Sequence, residues 1–273
     1  MKTDRRMPPS TLEQLQAMLK RTESAERARP PAGKSAPLQI GSPLDQLFPP
    51  GGLPRGVLVE WLGQGSGSGA TRLALSVACA AQDSGLVLVV IDRQSRFYVP
   101  AAAGLGIDPA GLIIVRPARQ LDELWALDQA VRCTGVAAVL WRGDTSPGIL
   151  DVRHFRRLQL ACQASGVIGL LIRSHTARQE PSWADVRLLI QPQPSGRTDS
   201  VGQSRGGVGV GSGLSAWQSS SFVRRLEVEV LRCRGRRTGA RVQLEIDDEI
   251  PQIRSADPLP MAARRPAGRR RPA

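Results

Sequence analysis

The nine residues Gly63-Gln64-Gly65-Ser66-Gly67-Ser68-Gly69-Ala70-Thr71 are where this chain comes nearest to doing chemistry. Glycine recurs at every second position, so backbone N–H groups are free to turn toward a bound phosphate. A working phosphate loop reads GxxxxGK[ST]: its lysine reaches the β- and γ-phosphates, and its hydroxyl holds Mg²⁺. Two features depart from that pattern. The interval from Gly63 to Gly69 is one residue too long, and Ala70 stands where the lysine belongs. A charge-assisted hydrogen bond contributes about 1.5–3 kcal/mol. In a transition state every ~1.4 kcal/mol is tenfold in rate. Gly63, Gly65, Gly67, Gly69 and Thr71 are therefore candidate cofactor-binding residues of a degenerate loop, open to weak ATP or other anion binding. The competing reading is that the glycines serve only a tight strand-to-helix turn. No resident cofactor, metal site or catalytic residue is expected.

The other groups that such chemistry needs are missing too. A Mg²⁺-organising acid belongs at the end of the strand expected over 136–141, but Trp141 and Arg142 stand there, with Asp144 a little further on. Cys79, Cys133, Cys162 and Cys233 form no CxxC pair and have no His at ligand spacing, so reduced, mostly buried thiols are expected. His154 and His175 are isolated in the sequence.

Charge points to a partner. The chain carries 37 basic and 24 acidic residues, a net +13, and its only lysines are Lys2, Lys20 and Lys34. An excess of this size favours a polyanionic or acidic partner. Aromatics at 4% argue against a base-stacking platform. The candidate DNA- or partner-binding residues are Arg224, Arg225, Arg232, Arg234, Arg236 and Arg237, with Arg269, Arg270 and Arg271 near the C-terminus. Phosphate contacts by such residues would be sequence-independent and strongly salt-dependent.

The elements that must position these residues follow from hydrophobic pattern. Strands are expected over 57–62, 86–91, 112–115, 136–141, 167–172 and 186–190, and helices over 71–82, 97–105, about 121–131, and 151–164. The 86–91 run is apolar on both faces, as buried parallel strands are. The alternation predicts an α/β fold with a central, mainly parallel sheet flanked by helices on both faces. Leu226, Val228 and Val230, then Val242, Leu244 and Ile246, alternate with polar residues around Arg234–Gly239, which predicts a C-terminal β-hairpin with a basic tip. Three domain-level segments follow: an N-terminal helical arm and linker (1–37), a core (38–248) containing a flexible Gly/Ser-rich loop (192–221), and a disordered basic tail (249–273). In the arm, Ser10 and Glu13 make a capping box ahead of an amphipathic helix at about 11–27. No apolar run approaches the roughly 18–20 residues of a membrane span, and the N-terminus lacks a secretory h-region. The expectation is a cytoplasmic, nucleoid-associated protein without membrane contact.

Leu53-Pro54-Arg55-Gly56-Val57-Leu58-Val59-Glu60 and the glycine loop after it resemble the start of the core of RecA recombinases. The likeness continues at Ile91–Gln94, Leu105–Asp108, Leu112–Val115, Ala184–Leu188 and in the closing hairpin. In that family the residue at Gln94 is a glutamate that activates the attacking water, a task Gln cannot perform as a base. The resemblance therefore implies a RecA-like core from which the lysine, the strand-end acid and the glutamate have all gone. The segments matching the two DNA-contacting loops are also short, which disfavours filament-type DNA binding. With its length and basic C-terminus, the chain is similar to the ImuA family of translesion-synthesis-associated proteins, sometimes grouped with SulA-like cell-division inhibitors. That resemblance implies induction in the SOS response. It also implies partnership with an ImuB-type Y-family polymerase homologue, with an error-prone C-family DNA polymerase and with RecA, and DNA contact through non-specific phosphate interactions. Two other readings stay open. One is a DNA-stimulated RecA-like ATPase or regulator, in which Arg72 would replace the missing lysine. The other is a SulA-like division inhibitor.

Overall fold

The computed structural model describes residues 36–65, 67–82, 85–143, 150–194, 223–247 and 252–256. Nine strands form one sheet in the order β3-β2-β4-β5-β1-β6-β7-β8-β9. They are β1 (Leu58–Gly63), β2 (Val87–Ile91), β3 (Leu112–Val115), β4 (Val136–Arg142), β5 (Ile168–Ser174), β6 (Val186–Gln193), β7 (Val223–Cys233), β8 (Arg241–Asp247) and β9 (Ile253–Ser255). The first six pair in parallel, and β7, β8 and β9 add on antiparallel. The helices are α1 (Ala70–Gln82), α2 (Val99–Gly104), α3 (Gln120–Arg132) and α4 (Val152–Ser165). This is the α/β architecture that the alternating pattern predicts.

The sheet separates two cores. Val59, Trp61, Leu88, Val90 and Leu140 face α1, together with Leu73 and Val77 of that helix. Leu58, Val89, Ile91, Val139 and Trp141 face α3 and α4, against Leu127, Phe155 and Leu158. Alternate residues of one strand serve opposite layers, which is why β1 and β2 are buried at every position. Gly166, with φ +76°, ends α4 in the left-handed conformation that glycine adopts without strain.

Two sequence expectations need correction. The strand expected to stop at 190 continues to Gln193. Past Ile190 β6 pairs only with β7, so Pro192, which has no N–H to donate, sits where one side of the strand needs no partner. The tail expected to be unstructured from 249 contains β9, which pairs with β8 from Leu244 to Ile246 and packs Ile253 against the core. Without it β8 would present a bare edge. The arm (1–35), most of the Gly/Ser-rich segment (195–222) and the basic tail (257–273) lie outside the described residues, as does Asp144.

Candidate functional site

The carboxyl end of β1 lies between those of β5 and β6, where strand order reverses and α/β sheets open a crevice. The glycine loop fills the mouth of this crevice. Gln64 N–H donates to the Ile190 carbonyl at 3.3 Å, and Leu73 N–H to the Gly69 carbonyl at 3.0 Å, so strand and helix follow one another through a single tight turn. Two positions require glycine on packing grounds. A Cβ on Gly63 would collide with the Ser68 hydroxyl, and one on Gly69, whose φ is +84°, would collide with Leu226 Cδ1 of β7.

Beyond the loop lies a cavity of about 540 Å³. Its wall is Gly63, Gly65, Gly67, Ser68, Gly69, Ala70, Thr71 and Arg72, joined by Arg142 from β4, Ile172, Arg173 and Ser174 from β5, and Arg224 from β7. Four arginines line it, and among the described residues no carboxylate does. Arg224 donates to the Gly67 carbonyl at 3.2 Å and Arg72 to the Asp247 carbonyl at 3.3 Å, which holds both guanidinium groups at the rim.

A buried ion network supports the wall. Glu60, fully buried in β1, accepts from Arg173 at 2.8 Å and also from Arg187. Arg173 further donates to Glu180 and lies 5.3 Å from the centre of the Phe155 ring. Burial pulls the Arg173 pKa down, but hydrogen bonds to Glu60 and Glu180 outweigh it, and the group ends above its ordinary value. Sequence reading missed this network, although it left one signal: an acid inside a strand that is otherwise apolar demands a buried partner.

At the end of β4 the acid's place is filled by a packed indole. Trp141 is 1% exposed and donates through Nε1 to Glu123 at 3.0 Å, while Arg93 holds the other Glu123 oxygen at 2.9 Å. Asp92, at the end of β2, accepts from the backbone N–H of Arg96 and Phe97 and faces Arg116 at 3.5 Å. Gln94 is exposed in a small depression that shares Arg142 with the cavity and also contains Asp92, Arg93 and Glu123. Mg²⁺ takes hard oxygen ligands, usually one or two of them carboxylates. Among the described residues the cavity offers the Ser68, Thr71 and Ser174 hydroxyls amid four guanidinium groups and no carboxylate, a lining that does not fit a Mg-nucleotide.

The expected phosphate-loop residues Gly63, Gly65, Gly67, Gly69 and Thr71 converge on one cavity, and Arg224 joins them there. The hairpin arginines do not form one patch. β7 is 11 residues long, which at ~3.3 Å per residue separates its ends by more than 30 Å. Arg224 and Arg225 sit at the crevice end, where Arg225 pairs with Glu245 at 2.6 Å. Arg232 donates to the Ser182 carbonyl at 3.1 Å. Arg234, Arg236 and Arg237 occupy the far tip, exposed, with Arg236 donating to the Gln46 carbonyl. Arg269, Arg270 and Arg271 lie outside the described residues. Of the three α4 arginines, Arg156 stacks 4.8 Å over Trp183, Arg157 donates to Asp128 at 2.8 Å, and Arg153 is exposed. All four cysteines are free, Cys133 exposed and Cys79 half-buried, and burial pushes the Cys162 thiol up to about 12. His154 closes a capping box with Asp151 at the start of α4.

Comparison with known proteins places this geometry. The RecA N-terminal domain family matches residues 37–142. Protein ImuA of Caulobacter vibrioides is 30% identical over 217 residues, covering 74% of this chain and 80% of that protein. Protein RecA of Synechocystis is 36% identical over 90 residues, 33% of this chain and 25% of that one. The crystal structure of the RadB recombinase superposes with a TM-score of 0.55 at 17% identity, covering 81% of this chain and all of that one. The fold is therefore RecA-like.

Proposed function

The chain belongs to the ImuA family, and from that membership we propose that it is a non-catalytic, RecA-like accessory protein of SOS-induced translesion DNA synthesis. In this reading it works beside an ImuB-type Y-family polymerase homologue and an error-prone C-family DNA polymerase, with RecA as a further contact. The observation that carries the non-catalytic part is the crevice. Where a nucleotide hydrolase needs a lysine, a Mg²⁺-organising acid and a general base, this chain has Ala70, a packed Trp141 beside Arg142, and an exposed Gln94. Transition-state stabilisation by preorganised charge is usually the largest catalytic contribution, and three of its sources are gone together.

The sheet and its two cores then serve as a docking body. Arg234, Arg236 and Arg237 at the hairpin tip, with Arg269, Arg270 and Arg271, supply phosphate contacts to DNA or an acidic partner. Arg225 and Arg232 are held within the fold and serve structure first.

The test is affinity purification of the intact chain from DNA-damaged cells, with nucleic acid digested and partners read by mass spectrometry. Polymerase subunits are the expected catch. Recovery of the tubulin-like division protein in their place would support a SulA-like role and overturn this one.

A further inference from the structure

We propose that a second cavity, at the opposite end of the sheet from the crevice, is a docking site for one acidic side chain of a partner polypeptide, with Arg55 as the counter-charge. The inference is independent of the translesion reading and rests on this cavity and on Arg55.

The cavity lies where β1 and β6 begin and β7 ends, and its volume is about 210 Å³. Its walls come from three directions. Pro49 and Pro54 belong to the chain before β1, Gln163 to the last turn of α4, and Cys233 and Arg234 to the end of β7 and the hairpin tip. These walls are held close. A Cβ on Gly56 would lie 2.9 Å from the Cys162 carbonyl oxygen, so glycine, at φ +72°, lets the entry to β1 pass against the end of α4. Arg236 donates to the Gln46 carbonyl, which ties the tip to the segment carrying Pro49. Among the described residues, Arg55 Nη1 is buried without a hydrogen-bond partner. Burial pulls the Arg55 pKa below its ordinary value, and no acid raises it in return. A desolvated cation without a counter-charge is unfavourable, and it marks a place that an anion would complete. Asp185 is the one acid that lines the cavity among the described residues, and both its oxygens are engaged. They accept from the Leu58 N–H at 3.0 Å and from the Gln159 amide at 3.2 Å. Arg234 adds a second guanidinium group to the wall and is exposed. Size selects the occupant. Small-ligand sites run from about 300 Å³ upward, so a cavity of about 210 Å³ suits a single side chain and not a cofactor. Pro49, Pro54, Val57 and Val186 give that side chain apolar walls. Such walls match the methylene stem of Glu or Asp, beneath a carboxylate that a guanidinium fork can grip. A duplex phosphate sits between sugars on a convex backbone and meets the exposed tip arginines first. Partly desolvated arginines in pockets are where binding energy concentrates in protein interfaces.

Panning a phage-displayed library of random dodecapeptides against the full chain tests this, with the selected peptides remade synthetically and their affinities measured by fluorescence anisotropy. The expected binders share one Asp or Glu flanked by apolar residues. Replacing that acid by its amide should weaken binding about tenfold or more, the loss of one charge-assisted contact. Arg55→Met should weaken the same peptides to the same degree, and Arg234→Ala less. Arg119→Ala, a charge control in an exposed pair with Asp122, should leave binding unchanged. Arg55→Met should keep or raise the melting temperature read by circular dichroism, because methionine fills the space without an unpaired charge. A lower melting temperature would place Arg55 in a pair within the chain and overturn the proposal. So would selected peptides without a shared acid, or peptides that bind Arg55→Met as tightly as the parent. Weakened duplex DNA binding by Arg55→Met, with peptide binding spared, would assign Arg55 to nucleic acid and overturn it as well.

Discussion

Glu60 sits in a strand whose other five residues are apolar or glycine, with no water contact of its own. Its two arginine partners are also largely buried, at 6% and 12% side-chain exposure. Breaking such an arrangement from one side leaves uncompensated charge in the interior, which costs about 3–5 kcal/mol. Glu60→Leu should therefore lower the melting temperature by roughly 6–20 °C for a domain of this size, measured by thermal unfolding. A change under 2 °C would mean that water or another acid already satisfies Arg173 and Arg187. Asp128 offers a second check, this one tied to pH. Burial raises its pKa, but hydrogen bonds from Arg132 and Arg157 bring it below the ordinary 3.8. A carboxyl whose folded pKa is depressed stabilises the fold above its unfolded pKa, and that stability is lost as pH falls through the folded value. Asp128→Asn should thus cost about 1–3 kcal/mol at pH 7 and distinctly less at pH 3. Urea midpoints at the two pH values decide it; an equal loss at both would remove the ionic explanation.

At the scale of elements, the parallel half of the sheet was legible because each strand is a short apolar run and each helix repeats at helical spacing. The glycine loop was legible as well, since a run of glycines between an apolar strand and a helical repeat marks a tight strand-to-helix turn. What stayed hidden was the result of pairing distance. Nothing in the alternation of Leu226, Val228 and Val230 says that β7 runs from Val223 to Cys233 and carries its arginines to opposite ends of the strand. Nor could three residues at Ile253–Ser255 announce a strand without β8 beside them. The split hairpin makes a prediction that a single basic patch would not. Replacing Arg234, Arg236 and Arg237 together by Ala should weaken DNA binding about equally for all sequences and reduce the salt slope by up to ~2.7 for duplex DNA. Arg225→Ala should lower stability through the lost Glu245 pair and leave that slope alone. Fluorescence anisotropy across a salt series distinguishes the two, and an unchanged slope for the triple variant would remove the tip from the interface. Gly69 belongs to this scale too, because it lets β7 approach the loop. Gly69→Ala forces a side chain into left-handed backbone against Leu226 and should destabilise the protein by about 1–3 kcal/mol, seen as an earlier thermal transition.

For the molecule as a whole, the question is what remains when a scaffold shared with recombinases keeps its crevice and changes the charge inside it. The mainly parallel sheet, the helix layers on its two faces and the glycine turn after β1 are all present in this chain. The crevice lining has become cationic, and the net charge of +13 gives the chain an electrostatic preference for anions at long range. If hydrolysis had been lost through the lysine alone, restoring it should recover turnover. The structure argues otherwise. In Ala70→Lys the new ammonium would enter a cavity already lined by four arginines. The indole of Trp141 would still be bound to Glu123, and Gln94 would still face outward from another depression. Neither the parent nor Ala70→Lys should hydrolyse ATP above the buffer rate, with or without single-stranded DNA, in a phosphate-release assay with MgCl₂. DNA-stimulated turnover by the parent would contradict the accessory reading directly. Turnover gained by Ala70→Lys would show that one missing charge, and not the altered crevice, had silenced the scaffold.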